Sequence, residues 1–155
     1  MQISVRHTLA TLSYRLGKVL RDTPDSFGEF QIHDSVRKPA QILAHINDLM
    51  DWALTQIEGK ARWRDSAMQP WPGEVARFYR AMQTLDERVT AGAAPGVDGD
   101  RLFQGAIADA LTHTGQLAML RHIAGIPIRG ESYYAAEIVA GRVGSEQAAA
   151  RKEFD

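Results

Sequence analysis

The chain has 155 residues, a formal net charge of −1 and no cysteine. That length suits one domain with one sizeable core, and 45% hydrophobic with 24% charged residues is an ordinary globular balance. Near-neutral charge gives no electrostatic reason to expect nucleic acid or an anionic membrane surface. Without cysteine there is no disulfide, no thiolate ligand and no thiol nucleophile, so any transition metal must be held by His, Asp or Glu.

No run approaches the roughly 18 apolar residues of a membrane helix. The opening MQISVRHTLATLSYRLGKVL is amphipathic rather than uniformly apolar, and it carries no signal-peptide pattern. A cytoplasmic protein is expected. Along this first segment Val5, Leu9, Leu12, Leu16, Val19 and Leu20 recur at spacings of 3–4, which predicts a helix that Pro24 ends.

The link GEFQIHDSVRKPA follows. Ser35 or a neighbour could cap a second helix over about 37–58, with Pro39 tolerated in its first turn and Gly59 as its stop. Its stripe is Ile42, His45, Leu49 and Trp52. Next comes a long polar link, KARWRDSAMQPWPG, whose Trp63 and Trp71 could cover the bundle or join a dimer contact. A third helix runs from about Gly73 to Thr90 on Val75, Phe78, Tyr79, Met82, Leu85 and Val89. The loop AGAAPGVDG precedes a fourth helix, capped by Asp98 or Asp100 and ended near Ala124 by Gly125 and Pro127. In the tail, residues 129–155 form a weakly patterned extension in which short helices over 133–140 and 145–153 are conceivable. No strand pattern is present. Four amphipathic helices predict an all-α, four-helix bundle.

The fourth helix holds the unusual chemistry. At 100° per residue, Asp109 and His113 point the same way, about 40° apart, and Leu102 and Leu120 fall within about 20° of Asp109 on the same wheel. A carboxylate buried on such a face needs a partner, or it takes up a proton. A side-chain hydrogen bond to His113 is one solution. A metal ion is another, since ligands at i and i+4 on one helix readily begin a site. His45, on the apolar stripe of the second helix, would then supply a third ligand and leave positions open for water or substrate. Gln116 and Asp48, a turn from these residues, could orient the imidazoles, with Asp48 expected at the solvated edge of its stripe. His122 falls about 180° from His113 on the wheel, and His7 and His33 are expected at the surface.

ADALTHTGQLAMLRHIAGIPI, together with ILAHINDLMDW, resembles the motifs of the DinB/YfiT-like metalloenzyme superfamily, over about residues 1–128. Members carry a histidine on the second helix and His-x₃-His on the later one, followed by Gly-Gln, Leu, an Arg-bearing turn and Gly-x-Pro. The first histidine of that pair is Asp109 here. Aspartate is itself a competent ligand for Zn, Ni, Mn or Fe, and it shifts preference toward harder cations. The resemblance implies a helix bundle with a divalent metal on His45, Asp109 and His113, and a tendency to form homodimers. It also implies a small-molecule substrate, with reactions such as thiol-dependent transfer or isomerisation using a low-molecular-weight thiol, or hydrolysis.

Overall fold

The computed structural model describes residues 4–154 and is an all-α bundle. Helix α1 spans Val5–Leu20, α2 Pro39–Ile57 and α3 Trp71–Ala91. Helix α4 is composite. An α-helical turn, Gly99–Leu102, leads into a π segment, Phe103–Ile107, and then into a regular stretch, Ala108–Ile123. Helices α1 and α2 each pack on both α3 and α4 and stand diagonally across the bundle.

Local chemistry explains most of the boundaries. Ser4 Oγ accepts the His7 backbone N–H at the start of α1. Asp98, rather than Asp100, caps α4, accepting from the Asp100 and Arg101 backbone N–H groups. Ser35 does not cap α2. It closes a turn with His33 instead, and the Lys38 N–H at the helix start is accepted by Gln41 Oε1 at 2.8 Å. Gly59 and Gly125 end α2 and α4 at φ 70° and 76°, left-handed conformations that cost glycine nothing. In each case the next residue's N–H reaches back five residues, Lys60 to Thr55 O and Ile126 to Arg121 O, satisfying a terminal carbonyl.

The core is filled by Leu9, Leu12 and Leu16 of α1, Leu43, Ile46 and Met50 of α2, Phe78, Met82 and Leu85 of α3, and Leu117 of α4. On α2 the most deeply buried line therefore runs through Leu43, Ile46, Met50, Ala53 and Ile57. His45 and Trp52, expected on the stripe, sit at its edge and are half-buried. Trp71 belongs to the core, not to a covering link. As the first residue of α3 it meets Phe27 edge-on at 5.2 Å and donates Nε1–H to Thr23 Oγ1 at 2.8 Å.

A polar network joins α2, α3 and the link between them. Asp48, expected at a solvated edge, is buried, and its Oδ1 receives Arg77 at 2.5 Å. The same guanidinium reaches Asp51 at 2.5 Å and Ser66 Oγ at 2.9 Å. Buried Glu74 accepts from Asn47 Nδ2 at 2.7 Å and from the Gln69 backbone N–H at 2.8 Å. Two charged carboxylates so enclosed require the cation, since an unpaired buried charge is expensive.

The tail forms neither of the helices conceivable at 133–140 and 145–153. It runs as turns and closes on itself through a two-residue antiparallel pairing, Gly130–Glu131 with Glu153–Phe154. The first stretch of the tail, RGESYY, packs on α1, with Tyr133 edge-on to Tyr14 at 6.3 Å. Glu131 is buried against α1, accepting from Tyr14 Oη at 2.6 Å and Lys18 Nζ at 2.8 Å. Further along, Val143 is buried and its carbonyl accepts from Ser13 Oγ at 2.6 Å. These polar anchors, more than apolar periodicity, hold the extension. Arg121 binds both its own helix end, through Ile126 O, and the end of α1, through Val19 O and Arg21 O.

Candidate metal centre

His45 of α2 and Asp109 and His113 of α4 converge where the two helices face each other. One potential ligand atom from each lies within 4.8 Å of the others, and this is the one such trio among the described residues. His45 Nε2 is 3.6 Å from Asp109 Oδ2, and His113 Nε2 is 3.5 Å from Asp109 Oδ1. The two imidazoles meet edge to face, centroids 4.9 Å apart.

Those separations bear on the two solutions open at the sequence level. At 3.5–3.6 Å neither contact is a hydrogen bond, so Asp109 is not satisfied by its histidines. Ligand bonds of about 2.0–2.2 Å in a tetrahedral arrangement hold their donors about 3.4 Å apart. The set has the spacing and the chemistry to hold a divalent ion. Two neutral imidazoles and one carboxylate would leave the site with one net positive charge.

Gln116 contributes the orientation that its position predicts. Its Oε1 is 2.7 Å from His113 Nδ1. An amide oxygen only accepts, so a neutral ring that donates Nδ1–H to it would keep its Nε2 lone pair, 3.5 Å from Asp109 Oδ1, for a metal. Asp48 does no such work for His45, being committed to Arg77 and the Ser66 backbone N–H. His7, His33 and His122 are exposed and take no part.

The trio is not deep in an apolar core. The side chains of Asp109, His45 and His113 are 45%, 27% and 14% exposed, which puts the site at the rim of the bundle. The wheel that placed Leu102 beside Asp109 assumed 100° per residue throughout. The intervening π segment breaks that count, so Leu102 stays buried while Asp109 faces the rim. Such segments are rare and recur at functional sites.

Two features complete the surroundings. A cleft of about 520 Å³ opens beside Asp109, walled by Leu49 and Trp52 of α2 and by Gln104, Gly105 and Ala108 of α4. Trp63, in the link after α2, stands 5.8 Å from the His45 ring and 6.5 Å from Trp52, centroid to centroid. The link is pinned on either side of this indole. The Arg62 N–H donates to Thr55 Oγ1 at 3.0 Å and the Ser66 N–H to Asp48 Oδ2 at 3.2 Å. The sequence offered Trp63 as a bundle cover or a dimer contact; its place beside His45 was not legible, because nothing periodic marks a link residue.

No helix among the described residues is long and apolar enough to cross a membrane. No known family model, curated protein or solved structure matches the chain, so the reading of the site rests on its own geometry.

Proposed function

We propose that the chain is a divalent-metal-dependent enzyme of the DinB-like type, acting on a small molecule by activating water or a low-molecular-weight thiol. One observation carries the reading. Three ligand-type side chains from two helices face one another at ligand spacing without hydrogen-bonding to one another. A bundle in which the trio is only structural would be expected to close it with internal hydrogen bonds. The exposure of Asp109 and the adjoining cleft weigh against that alternative.

The roles of the residues follow. His45 Nε2, His113 Nε2 and one Asp109 oxygen would hold the ion. Three protein ligands leave at least one position for solvent or substrate. A bound divalent ion lowers the pKa of a coordinated water or thiol enough to supply a nucleophile near neutral pH. Gln116 holds His113 in the ligating tautomer. The Asp109 carboxylate offsets part of the ion's charge and favours harder cations than a three-histidine set would. Trp63 shields one side of His45 from bulk water.

The test is elemental analysis of protein purified without a metal-affinity column, beside His113→Ala. The wild type should retain metal in stoichiometric amount, and the variant should lose it while its far-UV spectrum stays helical. Equal metal content in the two proteins would refute the ligand assignment.

A further inference from the structure

The cleft beside Asp109 has a composition that selects what it can hold. Its α2 wall is Leu49 and the indole of Trp52. The α4 wall opposite is thin, because Gly105 has no side chain there. A Cβ built on Gly105 would lie 3.6 Å from Trp52 Cζ3 and 3.8 Å from Cη2, in ordinary contact with that edge of the ring, so a long side chain there would lie against the indole. The π segment supplies this backbone, and the absent side chain leaves the indole accessible from the cleft.

Charge narrows the choice further. No lysine or arginine lines the cleft, so a phosphate or a remote carboxylate would find no counter-charge. The single ionisable group is Asp109, which the metal would engage. Hydrogen-bonding capacity is also sparse. The Thr112 hydroxyl is spent on the Ala108 carbonyl at 3.1 Å, leaving the Gln104 amide as the free donor. The cleft, about 520 Å³, is shallow and open to solvent, so a ligand there would lie against one face rather than be enclosed.

We infer that this cleft is the substrate subsite of the metal centre, and that it takes an uncharged, planar, apolar group stacked against Trp52, with the reacting end directed toward Asp109. The inference rests on the metal reading above and adds the substrate class: a neutral aromatic or conjugated molecule, not a phosphorylated or polyanionic one.

Three hydroxamates separate the two claims, since a hydroxamate binds a divalent metal through its own oxygens. The probes are acetohydroxamate, with no ring, 2-naphthohydroxamate, and the same naphthyl compound bearing a ring sulfonate. Affinities are measured on the metal-loaded wild type, Trp52→Ala and Gly105→Leu. The expected result is that the naphthyl probe binds the wild type at least tenfold tighter than acetohydroxamate, and that the sulfonate cancels most of this gain. Both variants should bring the naphthyl-to-methyl ratio close to one with acetohydroxamate affinity unchanged. Gly105→Leu fills the cleft without removing a packed ring, so it holds the test if Trp52→Ala is poorly folded. A wild-type ratio near one, or a ratio that survives Gly105→Leu, overturns the subsite while leaving the metal reading intact. Failure of every hydroxamate to bind metal-treated wild type overturns both.

Discussion

Replacing Gln116 by leucine isolates the one contact that turns a cluster of side chains into a prepared site. The Gln116 oxygen lies 2.7 Å from His113 Nδ1 and is the hydrogen-bond partner that ring has among the described residues. Leucine matches glutamine in helix propensity, and residue 116 is exposed, so the fold should lose no more than about 0.5 kcal/mol. The effect on metal is larger. Without the acceptor the imidazole is free to rotate and to carry its proton on Nε2, and loss of such an outer partner typically costs about 10–100-fold in metal affinity. That range corresponds to about 1.4–2.7 kcal/mol. Competition of Zn²⁺ between the protein and a chromophoric chelator measures it directly, with the apoprotein melting temperature as control. Gln116→Glu, which keeps an acceptor and makes it anionic, should hold or improve wild-type affinity. Leucine-variant affinity within a factor of about two of wild type would refute the reasoning, because the ring would then need no help to present Nε2.

Other consequences concern the frame. Arg77→Met should be severe, because it strands Asp48 and Glu74 without their cation; removing one partner of a buried pair costs about 3–5 kcal/mol, or roughly 6–20 °C in melting temperature for a chain of this size. Thermal unfolding followed at 222 nm checks this, and a loss below about 1 kcal/mol would show the network to be well solvated. Phe78→Ala removes a fully buried ring and should cost about 3–5 kcal/mol in denaturant unfolding. The tail anchor predicts an alkaline limit. Burial and the Glu131 hydrogen bond push the Tyr14 phenol well above its ordinary 10.0. Lys18 is also raised above 10.5; burial opposes this, but the bonds to Glu131 and Glu153 outweigh it. Both groups therefore hold protons in the folded state that the unfolded chain releases, so their contribution to stability should be constant below pH 10.0 and be lost as pH rises above it. In Tyr14→Phe that fall should be shallower in a urea series, and an unchanged slope would remove Tyr14 from the account.

The four helices were legible because each buries one face, and the 3–4 spacing of leucines, isoleucines and valines records that directly. Both glycine stops were legible for a related reason, since Gly59 and Gly125 adopt a conformation few other residues tolerate. His45, Asp109 and His113 could be nominated together because an acid and two imidazoles beside apolar stripes demand compensation. Their depth was misread. A helical wheel carries no knowledge of the π segment at Phe103–Ile107, which turns Asp109 away from Leu102 and toward the rim. Similarly, Asp48 reads as an edge residue until Arg77, 29 positions later, is known to fold against it. The tail defied prediction because Glu131, Tyr14 and Lys18 hold it through contacts more than a hundred residues apart in sequence, which no local pattern encodes.

The most direct measurement is anomalous diffraction from crystals of the protein grown with its bound metal, collected at that metal's absorption edge. A single strong peak per chain, bonded to Nε2 of His45, Nε2 of His113 and a carboxylate oxygen of Asp109, is the predicted result. A peak elsewhere on the surface, or no peak with the three side chains hydrogen-bonded among themselves, would contradict it.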